Sequence, residues 1–579
     1  MSLVIGCCCF NTQADISNDS ELANSAQWLA LLHIHKGEPQ IIDSDFLLSS
    51  NDSGFSPRHS LRATRDLFLQ QRKAICRFPA RYLWMQKQGL IAGDAAEESC
   101  PDYAEFLRSV PIDEVSVIFA SEQLASPSSM MGHSMLALTG ENGSGQNIDH
   151  GVSFFTPLDS GNPASLIYET MIVGKRGILS VHPLQQALSR YRFDEQRNVW
   201  RYPLVLNDYQ RELIQAHLWE LKQVDIPYYF QSHNCATVTL DILRIAVDID
   251  QERSDWISPI DLVNEVDRWG IIRERQLFPS ERWQVRMLGD FINKDDKKDV
   301  VAWVEGDSAA APMGLMPQLL ARHLISYRRQ EGLLGVDDYR ALTAEMTSWP
   351  TTEVILTDYR DPLKNAPDSY IDFGWEQDNT SDWITLDWTP SSHDLSSDNR
   401  NYFGESALQL SALGVRYRPT DMALQLNSWE LYRVRALNPY HSLTGGWSGY
   451  LDIAFEREAT DSINSRFGLT LAGGGGLTAQ LGRDAGVYAL LGMKLRTMTD
   501  DVTPYVVPEL GAWLYEIGNM KSWLSYKIDQ PIHGERIDRV AFDHSIKLGR
   551  RGQLNFSIEK VKVRQDTVTN SSAALRYYF

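Results

Sequence analysis

The sequence predicts a multidomain chain, α+β in its first part and all-β in its last. It divides into an N-terminal helical domain, a mixed α+β domain and a C-terminal antiparallel β-barrel of about twelve strands. Three observations predict this. The helical period of the apolar residues gives way to alternation from about Asp368. His133 precedes Cys235, and Cys235 opens a long apolar run with helical periodicity. The chain ends Leu575-Arg-Tyr577-Tyr-Phe579, which places Leu575, Tyr577 and Phe579 on one face of a last strand. The 579 residues allow three or four domains at about 150 residues each.

Residues 1–17 read as an export segment. Leu3-Val-Ile-Gly-Cys7-Cys-Cys-Phe10 is apolar, with no Lys or Arg before it. Thr12-Gln-Ala14 sets small residues where a signal peptidase cuts, and Val4-Ile-Gly-Cys7 loosely fits a lipid-attachment site. Residues 18–110 read as helical. Trp28-Leu-Ala-Leu-Leu32 follows a serine cap, and Ile75 to Trp84 and Asp102 to Leu107 repeat the pattern. In an exported chain Cys76 and Cys100 are close enough in sequence to pair as a disulfide, which leaves Cys235 as the odd thiol.

Residues 111–295 are mixed. Val115-Ser-Val-Ile-Phe119, His133 to Leu138 and Ile148 to Phe155 are strand-like. Helical patterns run from about Leu206 to Gln223 and onward from Cys235. Residues 296–367 read as linker and helices. Asp295-Asp-Lys-Lys-Asp299 and Asp307-Ser-Ala-Ala-Ala-Pro312 are the linker stretches, and Met316 to Arg329 and Asp337 to Trp349 are the helices. In residues 368–579, Trp447, Gly449, Leu451, Ile453 and Phe455 share one face, with Ser448, Asp452 and Glu456 on the other. Val487 to Arg496 and Leu554 to Ile558 alternate likewise, with Thr499 to Asp501 and Asp566 to Asn570 read as turns. Gly473-Gly-Gly-Gly476 lacks the Gly-Lys-Ser/Thr of a phosphate loop and reads as a turn or strand kink. A soluble sandwich alternates equally well. The terminal Phe579, the aromatic-rich strands and the export segment favour an outer-membrane barrel with periplasmic domains before it.

A net charge of −20 and the lack of a Lys/Arg cluster argue against a nucleic-acid partner. No His-Glu-x-x-His or Cys-x-x-Cys occurs, so neither a metal site nor any other cofactor is expected.

The candidate chemistry lies in Ser129-Met-Met-Gly-His133-Ser-Met-Leu136 and Asn234-Cys235-Ala-Thr-Val. Cysteine attacks as the thiolate, and a helix N-terminus stabilises that anion through its unpaired N–H groups and dipole. An imidazole can form an ion pair with it and return the proton. His133 is the candidate base. His150, on the next strand, is the candidate third residue that orients the ring. Asn234 and Ser129 are candidate oxyanion or orienting groups. The bland alternative is that Cys235 is a small buried apolar residue and His133 a structural histidine.

Histidine before cysteine is the order of a circularly permuted papain-like thiol fold. On the segments above, and on Phe193-Asp-Glu-Gln-Arg-Asn-Val-Trp-Arg-Tyr202 and His217-Leu-Trp-Glu-Leu221, residues 111–290 resemble the Lnb N-terminal periplasmic domain family. The flanking regions resemble accessory domains of its longer proteobacterial members. The resemblance implies a permuted relative of NlpC-like and lecithin:retinol acyltransferase-like enzymes. It also implies His133 as base, Cys235 as nucleophile, a thioester intermediate, and acyl transfer in some members, notably N-acylation of lipoproteins. Cys235 is followed here by Ala-Thr rather than the Glu-His of the retinoid enzymes.

The leading expectation is therefore an exported thiol acyltransferase or hydrolase acting on lipid or lipoprotein at the outer membrane. The alternatives are a peptidoglycan amidase or endopeptidase, and a non-catalytic outer-membrane scaffold or channel.

Overall fold

The structure is a computed structural model. It describes residues 19–48, 55–92, 100–122, 131–157, 169, 173–247, 249, 252–350, 352, 354, 361–378, 381–390, 392–400, 402–459, 465–498 and 501–579. The apolar N-terminal run, Ala14, Ser129 and most of the Thr499–Asp501 turn lie outside them. The chain forms two compact units, 1–120 with 133–190 and 199–278, and 121–132 with 191–198 and 279–579.

In the first unit, short helices α1 (Ala26–Leu31), α2 (Pro57–Gln70), α3 (Pro79–Lys87) and α4 (Pro101–Ser109) come first. The last three start on proline, whose missing N–H costs nothing in the first turn. Cys76 and Cys100 form the expected disulfide, with Cα atoms 5.3 Å apart.

An antiparallel sheet follows. Its strands are β1 (Glu114–Ala120), β2 (His133–Glu141), β3 (Asn147–Phe155), β4 (Lys175–Pro183), β5 (Val199–Pro203), β6 (Ile226–Tyr228) and β7 (Gln276–Phe278), in the order β6-β4-β3-β2-β1-β5-β7. Helices α5 (Asp208–Leu221), α6 (Cys235–Ala246) and α7 (Pro259–Arg268) complete the unit. Helix α6 packs on β2 and β3, and α5 packs on α6. Helix α6 holds Thr237, Val238, Thr239, Ile242 and Ile245, all poor helix formers. Nearly every residue in it is buried, and that burial outweighs propensity. Asp241, its one acid, is paired with Arg253 at 3.0 Å.

In the second unit, α8 (Glu281–Phe291), α9 (Lys294–Val304), α10 (Leu315–Gln330) and α11 (Val336–Glu345) precede the barrel. The expected linker at Asp295–Asp299 is helix instead. Asn293 caps α9, and Asp295 and Asp296 sit in its first turn, where carboxylates favour the helix dipole.

Among the described residues, twelve long strands close the barrel: β8 (Tyr370–Gln377), β9 (Asp382–Thr389), β10 (Glu405–Arg418), β11 (Ala423–Leu437), β12 (Ser448–Ala459), β13 (Ser465–Gln480), β14 (Ala485–Met498), β15 (Asp501–Glu516), β16 (Met520–Pro531), β17 (Ile537–Leu548), β18 (Gly552–Val563) and β19 (Asp566–Tyr578). Every neighbour is antiparallel, and the ring closes through β8–β19, β8–β9 and β9–β10. Asp566–Asn570, expected as a turn, opens β19, because the hairpin turns at 564–565. Gly473–Gly476 is neither turn nor kink but runs straight through β13. A Cβ on Gly474 would come within 2.7 Å of the Tyr450 ring, so glycine there makes room for the tyrosine to lie flat across the strand.

The barrel is apolar outside and charged inside. Leu491 and Met493 are 62% and 66% exposed, while their neighbours Lys494 and Arg496 are 3% and 1% exposed. A soluble barrel would reverse this pattern. Trp388, Trp447, Tyr577 and Phe579 point outward where the chain enters and leaves the barrel, an aromatic rim at one interface. This is an outer-membrane-type barrel. The connections at the opposite end, 378–381, 419–422, 460–464, 499–500, 532–536 and 564–565, span two to five residues. The two long connections, 390–404 and 438–447, lie at the entry end.

Candidate functional site

Cys235 is the one cysteine outside the disulfide among the described residues, and it is buried. The local sequence fixes its position. Asn234 accepts at Oδ1 from the N–H groups of Ala236 (2.8 Å) and Thr237 (3.1 Å), and Thr237 Oγ1 accepts from Asn234 N at 2.7 Å. This reciprocal cap makes Cys235 the first residue of α6. Asn234 also donates through Nδ2 to the carbonyls of Phe230 and Ile257, both at 3.0 Å. Both amide protons are thereby used. Asn234 orients the turn that presents the thiol and has no donor left for an oxyanion.

His133 is the first residue of β2, the strand packed against α6. Its neighbour Ser134 is fully buried and donates its hydroxyl to Cys235 Sγ at 3.9 Å. Sequence reasoning did not single out Ser134, because a serine inside a strand carries no pattern of its own. Tyr228 is a second unforeseen neighbour. Its phenol is held well above the usual value, chiefly by burial and then by the nearby Cys235. Ser129, the other candidate orienting group, lies outside the described residues.

His150 does not reach His133. The β2–β3 register sets His150 opposite Leu138, five residues (133 to 138) further along the strand. At about 3.4 Å per residue that is roughly 17 Å. The expectation failed because alternation assigns a residue to a face and says nothing of register. His182, on β4, is tied instead to Gly151 O at 2.7 Å and to Ser153 Oγ at 3.4 Å.

Behind α6 lies a buried polar chain. His33 Nε2 meets His217 Nε2 at 3.0 Å, and His217 Nδ1 meets Glu220 at 3.2 Å. Arg81 is stacked between Phe46 and Phe78, 4.4 and 4.5 Å from their centroids, with Glu220 at 3.8 Å. His33 lies 4.0 Å from Asp241 of α6. Burial, reinforced by the neighbouring His217, holds the His33 imidazole well below its usual value. His233, two residues before Cys235, is bonded at Nδ1 to Pro227 O (2.6 Å), and burial pushes it down to about 4. Both rings are neutral at physiological pH. The family-like segment is also placed: Arg197 bonds Ser121 O and Glu195, and Trp200 stacks on Tyr202 with centroids 6.1 Å apart.

Comparison with protein families matches residues 102–268 to the Lnb N-terminal periplasmic domain. Residues 20–88 and 360–578 match two domains of unknown function, DUF7843 and DUF7840. No curated protein matches. Solved structures that overlap the barrel include a KdgM porin (12% identity, TM-score 0.24, 36% of this chain and 99% of that one). They also include an anion-selective porin from Comamonas acidovorans (10%, 0.18, 36% and 98%) and a NanC porin (7%, 0.24, 36% and 100%).

Proposed function

We propose that this chain, an Lnb N-terminal periplasmic domain joined to an outer-membrane-type barrel, is a thiol acyltransferase or hydrolase working through a Cys235 thioester on lipid or lipoprotein. One observation carries the reading. Cys235, which is outside the disulfide, opens a side-chain-capped helix that packs on the strand beginning at His133, with a buried hydroxyl aimed at its sulfur. His133 takes the thiol proton, and Cys235 Sγ attacks the acyl carbonyl. The leaving alcohol or amine departs with the proton from His133. An acceptor amine or water, deprotonated by His133, then releases the acyl group and frees the thiol. Ser134 donates to the sulfur while it is anionic. N–H groups of the first helical turn are the natural oxyanion donors, since Asn234 Nδ2 is engaged. Attachment to a barrel in the same chain tethers the thiol domain to a membrane.

The test is acyl trapping on the full-length protein in detergent. A fluorescent activated acyl ester should give a hydroxylamine-labile adduct on wild type and none on Cys235→Ala, with labelling slowed by two or more orders of magnitude in His133→Ala. Equal labelling of wild type and Cys235→Ala would end the proposal. Release of soluble peptides from purified peptidoglycan by wild type, but not by Cys235→Ala, would move the substrate to the cell wall and keep the nucleophile.

A further inference from the structure

The connection from β9 to β10 does not stay outside the barrel. Its residues 393–400 bond to inward-facing side chains around the entry mouth. Asp394 pairs with Arg576 at 2.8 Å. Ser396 O accepts from Ser545 Oγ at 2.8 Å, and Ser396 Oγ accepts from Gln553 Nε2 at 3.0 Å. Ser397 O accepts from Lys521 Nζ at 2.9 Å. Asn399 donates through N to Tyr515 Oη at 2.9 Å and through Nδ2 to Glu405 at 3.1 Å. These anchors come from β10, β15, β16, β17, β18 and β19, half of the ring.

Lys521 also forms an ion pair with Glu405. Those residues sit on β16 and β10, six strands apart in a ring of twelve, so their side chains meet across the lumen from opposite walls. Tyr515 Oη donates to the same carboxylate at 2.8 Å. Deeper in, Arg435 of β11 reaches Glu509 of β15, four strands away, at 2.6 Å. Eight strands enclose a lumen that wall side chains alone can fill, whereas a wider ring needs something more. Here the additional material at the mouth is the chain's own loop.

The cost of burying these groups explains why the loop is held. Asp394, Lys521, Glu405 and Arg576 are each paired with an opposite charge on another element. Removing one partner strands a charge in a low-dielectric lumen. On its outer side the loop is fastened to the helices. The Phe403 ring lies 4.8 Å from the Trp283 ring, and Phe403 O accepts from Arg286.

We infer that residues 393–400 are a built-in plug, and that the barrel is a sealed membrane anchor for the thiol domain rather than an open pore. The two long connections lie at the entry end, and the connections at the far end span two to five residues, so the elaborated end of the barrel is the one at which the chain enters it.

Planar-bilayer recording on the full-length protein tests this. Wild type should insert without step conductance. Replacing residues 393–400 by a Gly-Ser stretch of equal length should produce steady open steps. A second variant, Lys521→Met with Arg576→Met, leaves the backbone intact and should produce flickering steps, because it removes two clamps. Heat-modifiable gel migration identifies correctly closed barrels in each sample. Steady conductance by wild type would overturn the inference. So would silence of both variants when both are folded, since the loop would then not be what seals the mouth.

Discussion

At the residue scale, the site is a division of labour around Cys235. Asn234 spends its carbonyl on the helix cap and its amide on two loop carbonyls, so its contribution is positional. Asn234→Ala is expected to cost about 1–2 kcal/mol of stability through the lost cap. It should also lower kcat of acyl transfer more than the stability loss explains. Asn234→Asp, which keeps the cap acceptor but sets a carboxylate oxygen against the Phe230 and Ile257 carbonyls, should restore only part of the stability and part of the rate. His150→Ala should leave the rate near wild type, because the register puts its backbone about 17 Å along the strand from that of His133. Urea titration and single-turnover labelling check these outcomes, and a His150→Ala enzyme as dead as Cys235→Ala would place the third catalytic group where this geometry does not.

At the element scale, buried His33 links α5 and α6, meeting His217 of one and lying 4.0 Å from Asp241 of the other. His33 and His233 both have folded values below 6.5, so the unfolded chain takes up protons first as the pH falls. The stability they permit is complete above about pH 6.5 and is lost as the pH drops toward 4. For His233, a fall from 6.5 to about 4 corresponds to about 3 kcal/mol. The low-temperature melting transition of the thiol domain, followed by near-ultraviolet circular dichroism, should shift down steeply between pH 6.5 and 4.5. His233→Phe should flatten that slope. An unchanged slope would mean that His233 is already charged in the fold. The same scale shows where patterns mislead. Asp295–Asp299 has a linker's composition, yet with Asn293 before it the run is the acidic first turn of α9. Gly473–Gly476 has a turn's composition, yet Gly474 is paired with Tyr450 of the adjacent strand, whose ring needs the space.

At the scale of the whole molecule, the barrel sits in the outer membrane and the N-terminal domains are periplasmic. The apolar outer surface beside inward Lys494 and Arg496 is stable only in hydrocarbon. Barrels of this class usually carry short periplasmic turns and longer external loops. Here the long connections lie at the end where the chain enters the barrel, and those at the opposite end span two to five residues. Trypsin added to intact cells should therefore leave the full-length chain intact. After outer-membrane permeabilisation it should cut the N-terminal domains away from a resistant barrel fragment. Trimming in intact cells with a sealed outer membrane would reverse the orientation.

The sequence by itself determined the order of the domains, the Cys76–Cys100 pair, the strand at His133, the helix at Cys235 and the alternating wall of the barrel. Each is written in local periodicity, in a cap or in cysteine arithmetic, and each survives folding because burial rewards the same pattern. Tertiary structure alone decided the rest. Register set His150 away from His133 and brought Ser134 to the sulfur, because strand pairing depends on partners remote in sequence. Ring closure turned the β9–β10 connection inward, where Asp394, Ser397 and Asn399 found partners on strands more than a hundred residues away. No local pattern encodes contacts made across a lumen, since they exist only once the twelve strands have closed around it.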